Sequence, residues 1–163
     1  MSLSYLDYPS ASLFKRLASM VYDALIVIAL WFLITFAFLA IRGADVADAD
    51  PGALRTQLFP LLLLGTFAFY AWFWTHGGQT LGMRAWRLQV VDAHLDGRPV
   101  NLLQCLSRFL VALISLSAFG LGYWWVLISP SGDTWHDTFS GTRTLLLPKD
   151  ENRKLTPARR LRR

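Results

Sequence analysis

Asp23 is the first residue whose type and place call for chemistry. It sits inside the apolar stretch Leu17–Ile41, where a carboxylate costs at least ~2.5–3.5 kcal/mol at a bilayer centre, so it must face protein or water rather than lipid. Arg16 precedes it by seven residues, two helical turns, on the same stripe and about 10.5 Å away along the axis. Helical side chains lean toward the N-terminus, so Arg16 leans away from Asp23 and each needs a partner from another segment. A later helix starting near Asn101 would bring Arg108 to nearly the depth of Asp23, which predicts an Asp23–Arg108 pair. Two blander readings stand beside this one: Arg16 as an interface arginine reaching toward headgroups, and Asp23 as a helix-packing hydrogen bond.

A second candidate is His136-Asp137 within Thr134–Thr142. No second histidine stands at zinc-ligand spacing, and His76 and His94 are isolated in another loop. Cys105 is the single cysteine, which excludes a disulfide framework and a cysteine-built zinc site; it reads as a packing residue without a redox role. No nucleophile elbow, phosphate loop, dinucleotide fingerprint or His-Glu-x-x-His motif occurs. The expectation is a protein that is not an enzyme and needs no cofactor or metal.

The elements that must hold these residues follow from composition. Of the 163 residues 54% are hydrophobic and 17% charged, against roughly 45–50% and about 25% in an ordinary soluble domain. Three stretches lack Asp, Glu, Lys and Arg: Ala24–Ile41, Thr56–Met83 and Phe109–Gly132. Each reaches the ~18 residues of a membrane-spanning candidate. Leu17–Ile41 and Leu58–Thr75 are the predicted full spans, the second with an aromatic belt in its far half. The order of charges before the first run is not that of a cleaved signal peptide, so that helix is expected to stay in the mature protein.

Between the spans, Arg42–Gln57 is a short acidic loop with a turn at Asp50-Pro51-Gly52. His76–Arg108 is basic. Gly77-Gly78 should end the second helix, Thr80 should cap a short helical turn, and Leu88–Val91 reads as a strand before an Asp96-Gly97 hairpin signal, with Thr142–Leu147 as a further strand candidate.

The charge distribution decides the third apolar region. With Lys15 and Arg16 inside, the acidic loop lies outside and the basic loop inside. A single further span would export a tail carrying eight basic residues from Arg143 to Arg163. Gly120-Leu121-Gly122 can break the run, so Leu102–Ala118 and Tyr123–Ser129 are predicted as two arms of a helical hairpin that returns the chain to the cytoplasm and packs on the first two helices.

Three blocks in order now carry a resemblance: Lys15-Arg16-Leu17-Ala18 with Asp23; Gly77-Gly78-Gln79-Thr80-Leu81-Gly82-Met83-Arg84 running into Leu88–Asp92; and Trp135–Thr142. Together they resemble the RDD family of small membrane proteins, over about residues 12–147. The family's arginine falls on Arg16 and its first aspartate on Asp23, while the second falls on Asp137, with Asp92 as the other choice. Thr138 stands where a basic residue is commoner in the family, and Ser140 where alanine is usual. The resemblance implies a bacterial inner-membrane protein with both ends cytoplasmic. It supplies no settled activity: transport is suspected for the family, cation/proton antiport being suggested for some members.

The sequence therefore predicts an all-α integral membrane protein: two full transmembrane helices plus a helical hairpin, with a small cytoplasmic strand element. Residues 1–12 form a lead-in, 13–147 the membrane domain and 148–163 a basic cytoplasmic tail. Asp23 would be an ion or proton site with Arg108 or Arg16 as charge partner, and Asp137, beside His136, a gate or anchor. The alternative is a non-transporting scaffold or assembly factor that binds other membrane proteins. Expected partners are the lipid bilayer, a small cation or proton, a second copy of the chain or another membrane protein. Nucleic acid is not expected, because the arginines of the tail lack interleaved aromatics and suit anionic lipid.

Overall fold

Residues 8–43, 49–94 and 99–149 are described by the computed structural model of the protein. The first helix, α1, runs Leu13–Arg42 and the second, α2, Pro51–Thr75. Both start earlier than their apolar runs. In α2 the cause is local: Asp50 accepts a hydrogen bond from Ala53 N at 2.9 Å, and Pro51 takes the first helical position, where its missing N–H costs nothing. The Asp50-Pro51-Gly52 signal thus begins a helix instead of making a loop turn.

Both helices are long and apolar enough to cross a membrane. Trp31 Nε1 donates to Thr66 Oγ1 at 2.8 Å between them, and Gly65 leaves room for the end of Ile34. Phe32, Phe36 and Ile41 of α1 stay exposed, as on a helix whose outer solvent is apolar. The aromatic half of α2 is only partly the belt expected of it. Trp74 and Ala71 are buried in a cluster with Val90, Val100 and Cys105, against which Phe67 and Tyr70 pack. Cys105 is fully buried there as a packing residue.

After α2 the chain turns back on itself. Gly78 has φ of 70°, and a side chain there would collide with the carbonyl of Val90, whose N–H donates to Gly78 O at 2.7 Å. A single turn, α3 (Leu81–Ala85), is capped by Thr80, whose hydroxyl accepts from Met83 N. Strand β1 (Leu88–Asp92) follows, every residue buried.

Helix α4 spans Leu102–Ser117 behind a reciprocal Asn101/Gln104 capping box. At Gly120, in left-handed conformation, the chain enters α5 (Leu121–Trp124) and a 3-10 turn, Trp125–Leu127. This pair is bent by 106° from α4. Gly122 N donates to Ser115 Oγ at 2.9 Å inside the bend. The second hairpin arm thus starts and ends two residues earlier than Tyr123–Ser129. Taken with α4 it forms either a broken third span or a re-entrant loop.

Helix α6 (Trp135–Ser140) leads through Gly141 into β2 (Thr142–Leu146). The strands pair antiparallel, Leu88 opposite Leu146 and Asp92 opposite Thr142. So β1 joins a strand about fifty residues downstream; the Asp96-Gly97 turn expected beside it lies outside the described residues, as do most of the lead-in and of the basic tail. Pro9 O accepts from Leu146 N at 2.9 Å and Ala11 N donates to Thr144 O at 3.0 Å. The start of the described chain, β1 and β2 therefore lie together at one end of a mostly helical molecule.

Candidate functional site

Asp137 is the centre of that end. Thr134 and Asp137 form the reciprocal capping box of α6, which fixes the carboxylate at the helix start. Arg16 Nη1 then meets Oδ2 at 2.5 Å and Arg108 Nη1 meets Oδ1 at 2.6 Å. Thr144 Oγ1 donates to Oδ1 at 2.8 Å. All three charged residues are buried, Asp137 at 0%, Arg108 at 2% and Arg16 at 4% exposure.

The guanidiniums are held from several sides. Arg16 Nε donates to Ala11 O at 2.9 Å and Nη2 to Gly132 O at 3.3 Å. Arg108 donates to the hydroxyls of Thr142 and Thr144, which share one face of β2 by strand alternation, and its guanidinium carbon lies 5.1 Å from the centre of the Trp74 ring. Burial alone would raise the Asp137 pKa, but the two arginines overcome it and hold the carboxyl well below its ordinary value. The carboxylate is therefore ionised, and the cluster keeps one positive charge in excess. Beside it, burial pushes the His136 pKa down to about 3, so this histidine is neutral at pH 7. Its ring packs 4.7 Å from Tyr123.

Arg16 thus meets Asp137 and is an inward-facing residue rather than a snorkelling one. The predicted Asp23–Arg108 pair is not formed. Arg108 goes to Asp137, and Asp23 goes to α3: Thr80 Oγ1 donates to Oδ2 at 2.5 Å and Gly82 N donates to Oδ1 at 2.9 Å. The reason is the free N–H groups of a helix start, which take a carboxylate readily. Gly82 allows the approach, since a Cβ there would collide with the carbonyl of Ser19 and lie 2.9 Å from the Asp23 carboxyl. Asp23 is 3% exposed and has no ion pair among the described residues. Asp92, the other candidate for the second aspartate, accepts from His94 N at 2.7 Å at the end of β1, away from Arg16.

A cavity of about 300 Å³ connects these sites. Arg16, Asp23, Arg108 and His136 border it, and Leu113 and Leu116 belong to its apolar wall. Asp137 stands behind the two arginines. No group of metal-ligating side chains occurs among the described residues.

The family model described as the RDD family matches residues 10–141. The chain belongs to the RDD family. No curated protein and no solved structure matches it. The matched stretch holds Arg16, Asp23, Arg108, His136 and Asp137, and it ends just before the threonines of β2 that bond Arg108 in this RDD-family chain.

Sequence reasoning missed Thr134, Thr142, Thr144, Trp74 and the bonds of Thr80 and Gly82 to Asp23. Two signals were readable: Thr134-x-x-Asp137 has capping-box spacing, and Thr142-x-Thr144 puts two hydroxyls on one strand face. Nothing local marks Trp74 as the platform for Arg108.

Proposed function

We propose that this RDD-family protein resides in a bacterial inner membrane with both termini cytoplasmic and exchanges a proton or small cation through the cavity, with Asp23 as the ion site. One observation carries the reading: the Asp23 carboxylate is buried on the cavity wall, held by two neutral donors and with no basic partner among the described residues. A buried carboxylate without a counter-cation is costly. Uptake of a proton or a cation removes that cost. Arg16 and Arg108 act on Asp137 instead, which makes the cluster an anchor at the cavity's end. The small enclosed space and the exposed apolar face of α1 support function as a homo-oligomer.

The inside orientation rests on charge: Lys15, Arg16 and the basic tail belong on the cytoplasmic side. Pairing of Pro9–Ala11 with β2 supports a common side for both ends.

Purified protein in proteoliposomes, assayed for pH-dependent cation flux, tests the proposal. Flux in the native chain and none in a folded Asp23→Asn variant are expected. Silence over several cations overturns it.

The scaffold reading is favoured by a different observation. The Arg16–Asp137–Arg108 cluster ties α1, α4 and α6 together, as a clasp would, and asks for no transported species. Under that reading Asp23→Asn impairs accumulation of the protein and no variant carries flux.

A further inference from the structure

The cavity combines two features that a small-ion path does not need. Its wall is apolar and aromatic, with Met20, Phe109, Leu113 and Leu116 among the lining residues, so it is poorly suited to holding water. Its charged end has two guanidiniums for one bound carboxylate. We infer that the cavity binds an anionic amphiphile, with one acyl chain along the apolar wall and a carboxylate or phosphate head at the Arg16–Arg108 end.

Three observations converge on this occupant. Arg108 Nε, Trp74 Nε1 and His136 Nδ1 are all buried without a hydrogen-bond partner among the described residues, and all three residues line the cavity. Two of these atoms are obligate donors, and buried donors left unpaired are rare. Each of these atoms is closed off from the cavity as it stands, so an acceptor oxygen of an anionic head reaches them once the side chains turn toward it.

Charge complementarity is the second observation. His136 is neutral, and the carboxylate of Asp137 is shared between two arginines, so one positive charge is left facing a water-poor space. Asp23 borders the same cavity, but its oxygens are taken by Thr80 and Gly82. When it holds a proton or a cation, no negative charge in the cavity balances the cluster.

The third is size. About 300 Å³ is the lower end of small-molecule sites, enough for one chain, so a two-chain lipid would leave its second chain in the bilayer. The inference concerns equilibrium binding and does not depend on flux, so its failure and that of the exchange reading are separable.

The test uses the full chain in nanodiscs of zwitterionic phosphatidylcholine. Dodecanoate, dodecanol, dodecyltrimethylammonium, acetate and dioctanoyl-phosphatidylglycerol are each titrated, with melting temperature as one readout. Quenching of tryptophan emission by a brominated chain is the other, because Trp31 and Trp74 border the cavity. Dodecanoate or the phosphatidylglycerol is expected to raise the melting temperature and the brominated acid to quench beyond the matched alcohol; whichever of the two anions binds identifies a free acid or a bilayer lipid as the source.

Ala112 lines the wall one helical turn beyond Arg108 on α4. Ala112→Phe should weaken binding about tenfold or more by filling the space, with Ala112→Met as the milder variant if the first fails to fold. Asp23→Asn should retain or strengthen binding. Equal responses to acid, alcohol and quaternary amine, insensitive to both Ala112 variants, overturn the inference as mere bilayer partitioning. Acetate binding as tightly as dodecanoate overturns it as well.

Discussion

Arg16 Nη1 lies 2.5 Å from Asp137 Oδ2, fastening the first turn of α1 to the first turn of α6 across 121 positions of chain. Because Arg108 takes the other oxygen, the two arginines are coupled through one carboxylate rather than placed as independent pairs. This coupling has a direct consequence for mutants.

Asp137→Asn leaves two buried guanidiniums facing a neutral amide and should cost about 3–5 kcal/mol of stability. Arg16→Gln leaves Asp137 with Arg108 and should cost less. In a double-mutant cycle of these two changes, followed by unfolding in detergent, the combined loss should fall short of the sum. Additive losses would show that the two residues stabilise the protein separately.

The contact of α1 with α3 depends on a missing side chain. Gly82→Ala pushes a methyl group into the Ser19 carbonyl and the Asp23 carboxyl. Overpacking of this kind costs about 1–3 kcal/mol. Thr80→Val removes the hydroxyl bond to Asp23 and the cap of α3 while keeping the volume. Both variants should lower the melting temperature, Gly82→Ala the more, and a melting temperature unchanged in Gly82→Ala would mean that α3 can move away from α1 at no cost.

Much of this arrangement was legible in the sequence, and the failures have physical causes. The apolar helices, the glycine-broken third region and the Thr80 cap follow from apolar length, glycine position and capping chemistry, whereas the Arg16–Asp137 contact joins two residues that only the resemblance to the RDD family singles out together. The Asp23–Arg108 pair did not form because depth along two helices ignores azimuth and ignores backbone donors. Gly82 N is not a charged group, so counting charges could not find it. The β1–β2 pairing was legible in part: Leu88–Val91 and Thr142–Leu147 both read as strand segments, but the local hairpin signal at Asp96-Gly97 drew attention from a partner that arrives only after α4, α5 and α6. The cavity depends on how α1, α2 and α4 pack, which no single segment encodes.

His136 gives the protein an acid-sensitive element distinct from Asp137. Its folded pKa is depressed from 6.5 to about 3, so below 6.5 the unfolded chain takes up a proton that the folded one refuses. Stability is therefore full above pH 6.5 and falls as the pH drops toward 3, by up to about 1.4 kcal/mol per pH unit. Asp137 adds to the loss only below its ordinary value of 3.8. Melting temperatures between about pH 4 and 6.5 should thus decline in the native protein, and the decline should flatten in His136→Phe, which keeps a ring against Tyr123. Equal slopes in the two proteins would show that the ring of His136 takes up its proton in the folded state.

The last prediction concerns the side on which the chain ends. If α4 and the bent pair after it crossed the bilayer once, β2 would emerge opposite β1. Five residue pairs of the two strands are in register, and Ala11 N donates to Thr144 O at 3.0 Å. Strands hydrogen-bonded at about 4.8 Å cannot lie on opposite faces of a hydrocarbon core ~30 Å thick. The third apolar region is then expected to enter and return on one side, reversing at the 106° bend that follows α4. Reporter fusions at residue 163 and within the α1–α2 connection at residue 48 should give opposite locations, cytoplasmic for the first. If both report the periplasm, the third region is a simple span and the β1–β2 pairing does not exist in the membrane.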